Sequence, residues 1–174
     1  SGVELIRRAR GKETNVLTHP LVIDKSTGRK FGKSEEGAVW LDPAKTSPFK
    51  MYQFWLNVDD DAVGEYLKIY TEIQKEEFDE LMFKFNEDRS GRLAQKYLAL
   101  EVTKLVHDAE VAESVKRISE VLFSGRGASE LTAEDFKALS LELPSSGAED
   151  ILDFLVETGL VKSKGAARRF IEQG

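Results

Sequence analysis

The run Lys30-Phe31-Gly32-Lys33-Ser34 sets two ammonium groups three residues apart around a glycine and ends in a hydroxyl. Glycine lets a backbone approach a ligand closely, and lysines act as point charges on phosphate oxygens, so these residues could wrap a polyphosphate. It is not a Walker loop, because the glycine frame that precedes the lysine there is missing. Taken alone, a plain solvated loop is the default for so short a match.

A second chemistry is suggested by clustered cations. The chain carries a net charge of −6, so as a whole it repels a polyanion, and nucleic-acid binding would have to come from local positive clusters. Arg7, Arg8, Arg10 and Lys12 form one near the start, while Lys162, Lys164, Arg168 and Arg169 form another near the end. The alternative for Arg168 and Arg169 is a solvated helix face; the preceding lysines, adding to a local field in an acidic chain, favour RNA contact. Phe170 and Ile171 are expected to form the buried side of the same helix. No cysteine is present, and His19 and His107 lie in no ligand-spaced cluster, so no protein metal site is expected. Nothing approaches a membrane span or a signal peptide, and a cytoplasmic protein fits best.

These groups need elements to hold them. A short helix opens the chain, followed by a strand from Leu17 to Ile23 interrupted by Pro20, a turn at Asp24 to Gly28, a surface loop from Arg29 to Gly37 and an extended piece at Ala38 to Leu41. From Ser47 the pattern becomes helix after helix. Ser47-Pro48 offers an N-cap with proline at the first helical position, opening a helix to about Asn57. Val63, Tyr66, Leu67 and Tyr70 make one amphipathic stripe, and Phe78, Leu81, Met82 and Phe85 another. A long helical stretch follows, with Leu93, Tyr97, Val102, Leu105 and Val106 continued by Val111, Val115, Ile118 and Leu122. All of these stripes read as core. Thr132 with Asp135 begins a short capped helix, and two short helices, about Glu149 to Thr158 and Ser163 to Gln173, follow a linker at Pro144 to Gly147.

The pentapeptide resembles the KMSKS signature of class I aminoacyl-tRNA synthetases, in the KFGKS form of tyrosyl enzymes, and its surroundings match the same family. Upstream lies Leu17-Thr18-His19-Pro20-Leu21-Val22. Downstream lie Gly37-Ala38-Val39-Trp40-Leu41-Asp42-Pro43, Thr46-Ser47-Pro48-Phe49 and Tyr52-Gln53-Phe54-Trp55. The likeness continues through Glu101-Val102-Thr103-Lys104-Leu105-Val106-His107 and Ile118-Ser119-Glu120-Val121-Leu122-Phe123-Ser124-Gly125. It ends in Gly159 to Ile171, which resembles the opening of a small RNA-binding module shared with a ribosomal protein.

The resemblance implies a mainly α fold. Residues 1–46 would be the last strand and loop piece of a Rossmann-like catalytic domain, 47–143 a helical domain binding the anticodon arm, and 144–174 a linker and the start of the small module. It also implies activation of tyrosine by ATP, with Mg2+ accompanying the nucleotide, and transfer of the tyrosyl group to tRNA. Lys30 and Lys33 would hold the departing pyrophosphate, Gly32 would supply the bend, Ser34 a hydrogen bond, and Phe31 would lie among the ATP-binding residues. The chain opens as if cut inside a longer protein, and the motifs implied upstream are missing. It is therefore expected to be a C-terminal part, inactive alone and possible as a monomer where the whole enzyme is a homodimer. Packing onto the catalytic domain is expected for the aromatic block Tyr52 to Trp55, with base stacking as the alternative. Two rivals stand beside this: a non-catalytic helical RNA-binding or scaffold protein, and a tryptophanyl-tRNA synthetase relative, against which Gln53-Phe54-Trp55 argues.

Overall fold

The computed structural model describes residues 2–18, 21–23, 28, 39–123, 125 and 127–173. The chain divides into two units, Ser1–Val39 and Trp40–Gly174. In the first, α1 (Gly2–Arg10) buries none of its residues, and Arg8 pairs with Glu4 one turn away. Of the expected strand, Leu17, Thr18, Leu21 and Val22 have no regular structure and Ile23 alone makes a bridge, whereas His19 and Pro20 lie outside the described residues.

The second unit begins with a turn. Thr46 accepts the Trp40 N–H on its hydroxyl at 3.0 Å and donates its own N–H to the Asp42 carbonyl at 3.1 Å, and the Lys45 ammonium lies 4.1 Å from the Trp40 ring centre. This closed turn leads into α2 (Pro48–Leu56), where the Ser47 hydroxyl accepts from the Lys50 N–H as the proline signal predicts. Then follow α3 (Asp60–Tyr70), α4 (Lys75–Glu87), α5 (Leu93–Val106), α6 (Ala109–Phe123), α7 (Ala133–Ser140), α8 (Ile151–Glu157) and α9 (Lys164–Gln173).

Helix α5 is the axis of this unit and packs against α2, α3, α4 and α6. Its buried face is Ala94, Gln95, Leu98, Ala99, Val102 and Thr103. The expected stripe is corrected here, since Leu93 and Leu105 are exposed, the latter by 71%. Alanines at the centre let four helices approach one axis, a packing requirement that a count of large apolar residues does not capture. The expected continuous helix from Leu93 to Leu122 is also corrected. It breaks between α5 and α6 at Asp108, whose φ is 139°. Asp108 starts α6 by accepting the Val111 N–H on its carboxylate at 2.8 Å.

The aromatic block proves to be core within the helical unit. Met51, Tyr52 and Trp55 are buried, and the Trp55 ring centre lies 6.0 Å from that of Tyr66 and 4.9 Å from that of Tyr70. Each such side chain, fully buried, is worth about 1.5–3 kcal/mol. Polar bonds then fix the geometry of the α2–α3 turn. Arg92, at φ 52°, donates to the carbonyls of Leu56 at 2.7 Å and Val58 at 3.1 Å. The Gln95 amide donates to the Asp60 carboxylate at 2.6 Å.

Helix α7 is held to α6 by one buried carboxylate. Asp135 closes the predicted capping box with Thr132 and receives Arg117 on both oxygens, at 3.0 and 2.9 Å. The Ser114 hydroxyl donates to it as well. Beyond α7 the chain runs through residues 141–150 to α8 and α9, which pack principally against each other. The Asp150 carboxylate caps α8 by accepting the Leu152 N–H at 2.8 Å, Gly159 turns the chain at φ 74°, and the Ser163 hydroxyl accepts the Ala166 N–H at 3.2 Å to start α9.

Candidate functional site

The polyphosphate loop, Lys30, Phe31, Gly32, Lys33 and Ser34, lies outside the described residues. Its flanks are described at Gly28, which has φ 65° and open space where a Cβ would stand, and at Val39.

The terminal cations are described in full. Lys162, Lys164, Arg168 and Arg169 are all exposed. Lys164 and Arg168 are four residues apart on α9 and so share a face, whereas Arg169 is turned about 100° from Arg168. Lys164 is engaged: its ammonium pairs with Asp153 on α8, and that bond raises its pKa above the ordinary lysine value. Lys162, Arg168 and Arg169 have no ion-pair partner among the described residues and remain open to an anion. The expectation for Phe170 and Ile171 is corrected, since they are 62% and 49% exposed. The buried residue of α9 is Ala167. In a pair of helices this short, only the line of closest approach is covered, and alanine permits that approach.

Among the described residues of the helical unit, two depressions stand out. One, of about 380 Å³, has mixed polar and apolar walls, lined in part by Gln53, Asn57, Arg92, Lys96, Ser119 and Phe123. Gln53 donates across it to the Ser119 hydroxyl at 2.8 Å. The Tyr52 hydroxyl at its edge is pushed up to about 12, by burial first and then by Glu120 and Glu113, and so stays neutral at physiological pH. The other, of about 600 Å³, is a mostly apolar groove between the start of α2, α6 and α7, with Phe49, Val111, Val115, Ile118 and Leu139 among its walls. Neither was legible in the sequence, because their walls come from segments far apart along the chain. Among the described residues no group of three or more histidine or acidic side chains could hold a metal ion, and no helix is long and apolar enough to cross a membrane.

A mainly helical chain whose first residues lead toward a KFGKS run and whose helices bury the aromatic block has its counterpart in one family. Residues 1–124 match the model of the class I tRNA synthetases for tryptophan and tyrosine, and the chain belongs to that family. Within it the similarity is to tyrosine enzymes. The chain is 45% identical to tyrosine--tRNA ligase 1 of Enterococcus faecalis strain V583 over 100% of its own length and 43% of the relative's. It is 46% identical to the tyrosine--tRNA ligase of Streptococcus suis over 100% of its own length and 42% of the relative's. The chain thus spans less than half the length of these curated relatives. A C-terminally truncated mitochondrial tyrosyl-tRNA synthetase of Coccidioides posadasii superposes with a TM-score of 0.51 at 35% identity, covering 59% of this chain and 26% of that one.

Proposed function

We propose that this chain serves tyrosine–tRNA ligation, contributing the pyrophosphate loop and a helical tRNA-binding region to an enzyme that activates tyrosine with ATP and transfers it to tRNA. The observation that carries this reading is identity of about 45% to tyrosine--tRNA ligases along the entire chain, which neither a tryptophan enzyme nor an unrelated helical scaffold would explain. In the first step the tyrosine carboxylate attacks the α-phosphate of ATP, giving tyrosyl-adenylate and pyrophosphate. Negative charge grows on the departing pyrophosphate, and the ammonium groups of Lys30 and Lys33 stabilise it. Charge stabilisation that strengthens as the transition state forms acts on the rate, not on ground-state binding. Gly32 provides the close backbone approach and Ser34 a hydroxyl donor. Mg2+ travels with the nucleotide. Lys162, Arg168 and Arg169 are the cations offered to tRNA phosphates, and the working enzyme is a homodimer in the cytoplasm.

A chimera tests the assignment. This chain is joined to the part of the Enterococcus faecalis ligase that it does not cover, and amino-acid-dependent exchange of labelled pyrophosphate into ATP is measured. Exchange that depends on tyrosine is expected, whereas dependence on tryptophan, or a folded chimera without exchange, overturns the proposal. In the active chimera Lys33→Ala is expected to slow adenylate formation by roughly a hundredfold, as for other lost preorganised charge contacts, with tyrosine affinity nearly unchanged. A loss below threefold removes Lys33 from the mechanism.

A further inference from the structure

We propose that the groove between the start of α2, α6 and α7 is a binding site for a small apolar cation, an ammonium group on an aromatic or branched aliphatic body. Its volume of about 600 Å³ lies within the range of small-molecule pockets, roughly 300–1,000 Å³, which are mainly apolar with a few polar groups that fix orientation. Phe49 of α2, Val115 and Ile118 of α6 and Leu139 of α7 supply the apolar surface. Three carboxylates, Glu110, Glu134 and Glu142, stand in the walls with two ammonium groups, Lys45 and Lys50. The ammonium groups are engaged, Lys50 with Glu142 at 3.5 Å and Lys45 over the Trp40 ring. So are the hydroxyls, since Ser47 accepts the Lys50 N–H and Ser114 donates to Asp135. Glu110 and Glu134 are left without an ion-pair partner among the described residues; both are exposed, and each is held in the first turn of its helix.

Those remaining groups select the ligand. The apolar surface gains by covering a hydrocarbon body, and the two carboxylates gain by receiving a positive end. A nucleotide, a phosphate or a free amino-acid carboxylate would meet negative charge with no open cation to answer it. The site is therefore separate from the chemistry proposed for Lys30 and Lys33 and from tRNA contact, and it rests on neither. Size argues against a larger occupant. A helix three turns long fills on the order of 1,500 Å³, more than the groove can hold, whereas a phenylalkyl amine goes inside. Pairing an ammonium with one exposed carboxylate raises affinity by only about two- to fivefold. The two together should then favour an amine over its uncharged analogue by about tenfold at low salt.

Methyl NMR of the chain tests this with probes that share one body: phenylbutylamine, phenylbutanol and phenylbutyrate. The amine is expected to shift the methyls of Val111, Val115, Ile118 and Leu139, which line the groove, and to bind about tenfold more tightly than the alcohol at low salt, with the butyrate weaker than either. Glu110→Gln with Glu134→Gln is expected to cut the preference for the amine to about twofold or less, as is about 1 M salt. Both glutamates are exposed, so the fold should hold, and thermal unfolding checks that it does. Ala138→Phe, which puts a ring into the groove, is expected to weaken amine and alcohol alike. An amine that leaves these methyls unmoved, or binds no more tightly than the alcohol, overturns the proposal. So does a preference for the amine that survives the double substitution. Shifts of the same methyls that grow with protein concentration before any probe is added also overturn it, because a second copy would then fill the groove.

Discussion

Replacing Asp135 by asparagine should release α7 from α6 while leaving the core of α2 to α6 intact. The carboxylate is fully buried and is the meeting point of Arg117, Ser114 and the Thr132 N–H. Asparagine keeps the shape but removes the charge, and it turns one acceptor into a donor that faces other donors. A hydrogen bond to a charged group contributes about 1.5–3 kcal/mol. The Arg117 side chain is 40% exposed, so water takes over part of its hydrogen bonding, and about 2 kcal/mol is a fair figure for the pair. Weakening the capping box adds about 1 kcal/mol. The sum, about 3 kcal/mol, is on the order of a hundredfold in the opening equilibrium of α7. Amide exchange resolves this by segment. Protection across Ala133–Ser140 should fall by about that factor, while buried amides of α5 should change by less than threefold. A change below threefold in α7, or an equal loss throughout α5, refutes the assignment of Asp135 as a local clamp. The same carboxylate predicts a pH dependence. Burial alone would raise its pKa, but the bonds from Arg117, Ser114 and Thr132 outweigh burial and hold it well below the ordinary 3.8. Because the folded value is depressed, the stabilisation is complete above about 3.8 and is lost as the pH falls through the folded value. Protection of α7 should be flat from neutral pH down to about 5 and should decline below about 4 in the wild type only.

Other positions give sharper yes-or-no outcomes. Asp108→Gly removes a side chain from φ 139°, relieving strain of about 1–3 kcal/mol at the cost of a few tenths for the cap; a rise in Tm is expected, and a fall counts against strain at the α5–α6 break. Gly64 lies inside α3, and a Cβ there would meet the flexible end of Met82 at 3.4 Å, an ordinary contact. Gly64→Ala should therefore stabilise by about 0.5–1 kcal/mol in denaturant unfolding, and a clear loss would show that Met82 cannot yield. For RNA, Arg168→Ala and Arg169→Ala should each lower the slope of log affinity against log salt by roughly 0.7–0.9 if both reach phosphates. Because the two point about 100° apart, one of the single variants should carry most of the effect. Affinity and slope unchanged in a folded double variant leave these arginines as a solvated face.

Much of the local structure was decided by neighbours in sequence. Ser47-Pro48 starts α2, Thr132 with Asp135 starts α7, and the stripes Val63 to Tyr70 and Phe78 to Phe85 mark α3 and α4, because caps and amphipathic periodicity act within one or two turns. The KFGKS run and the tyrosine-type block were likewise legible as a family signature, although the loop itself lies outside the described residues. Tertiary structure alone decided the rest. Small residues chose the buried face of α5, since an axis shared by four helices needs close approach more than it needs bulk. The break at Asp108 came from the turn that lets α6 pack back on α5, for no glycine or proline announced it. Asp135 looked like a cap and is also the buried half of an ion pair, because Arg117 stands eighteen positions away in a helix that only folding brings alongside. Phe170 and Ile171 have the pattern of a buried face and are exposed. A helix's own periodicity fixes which side chains share a face, but only another surface packed against that face removes it from water.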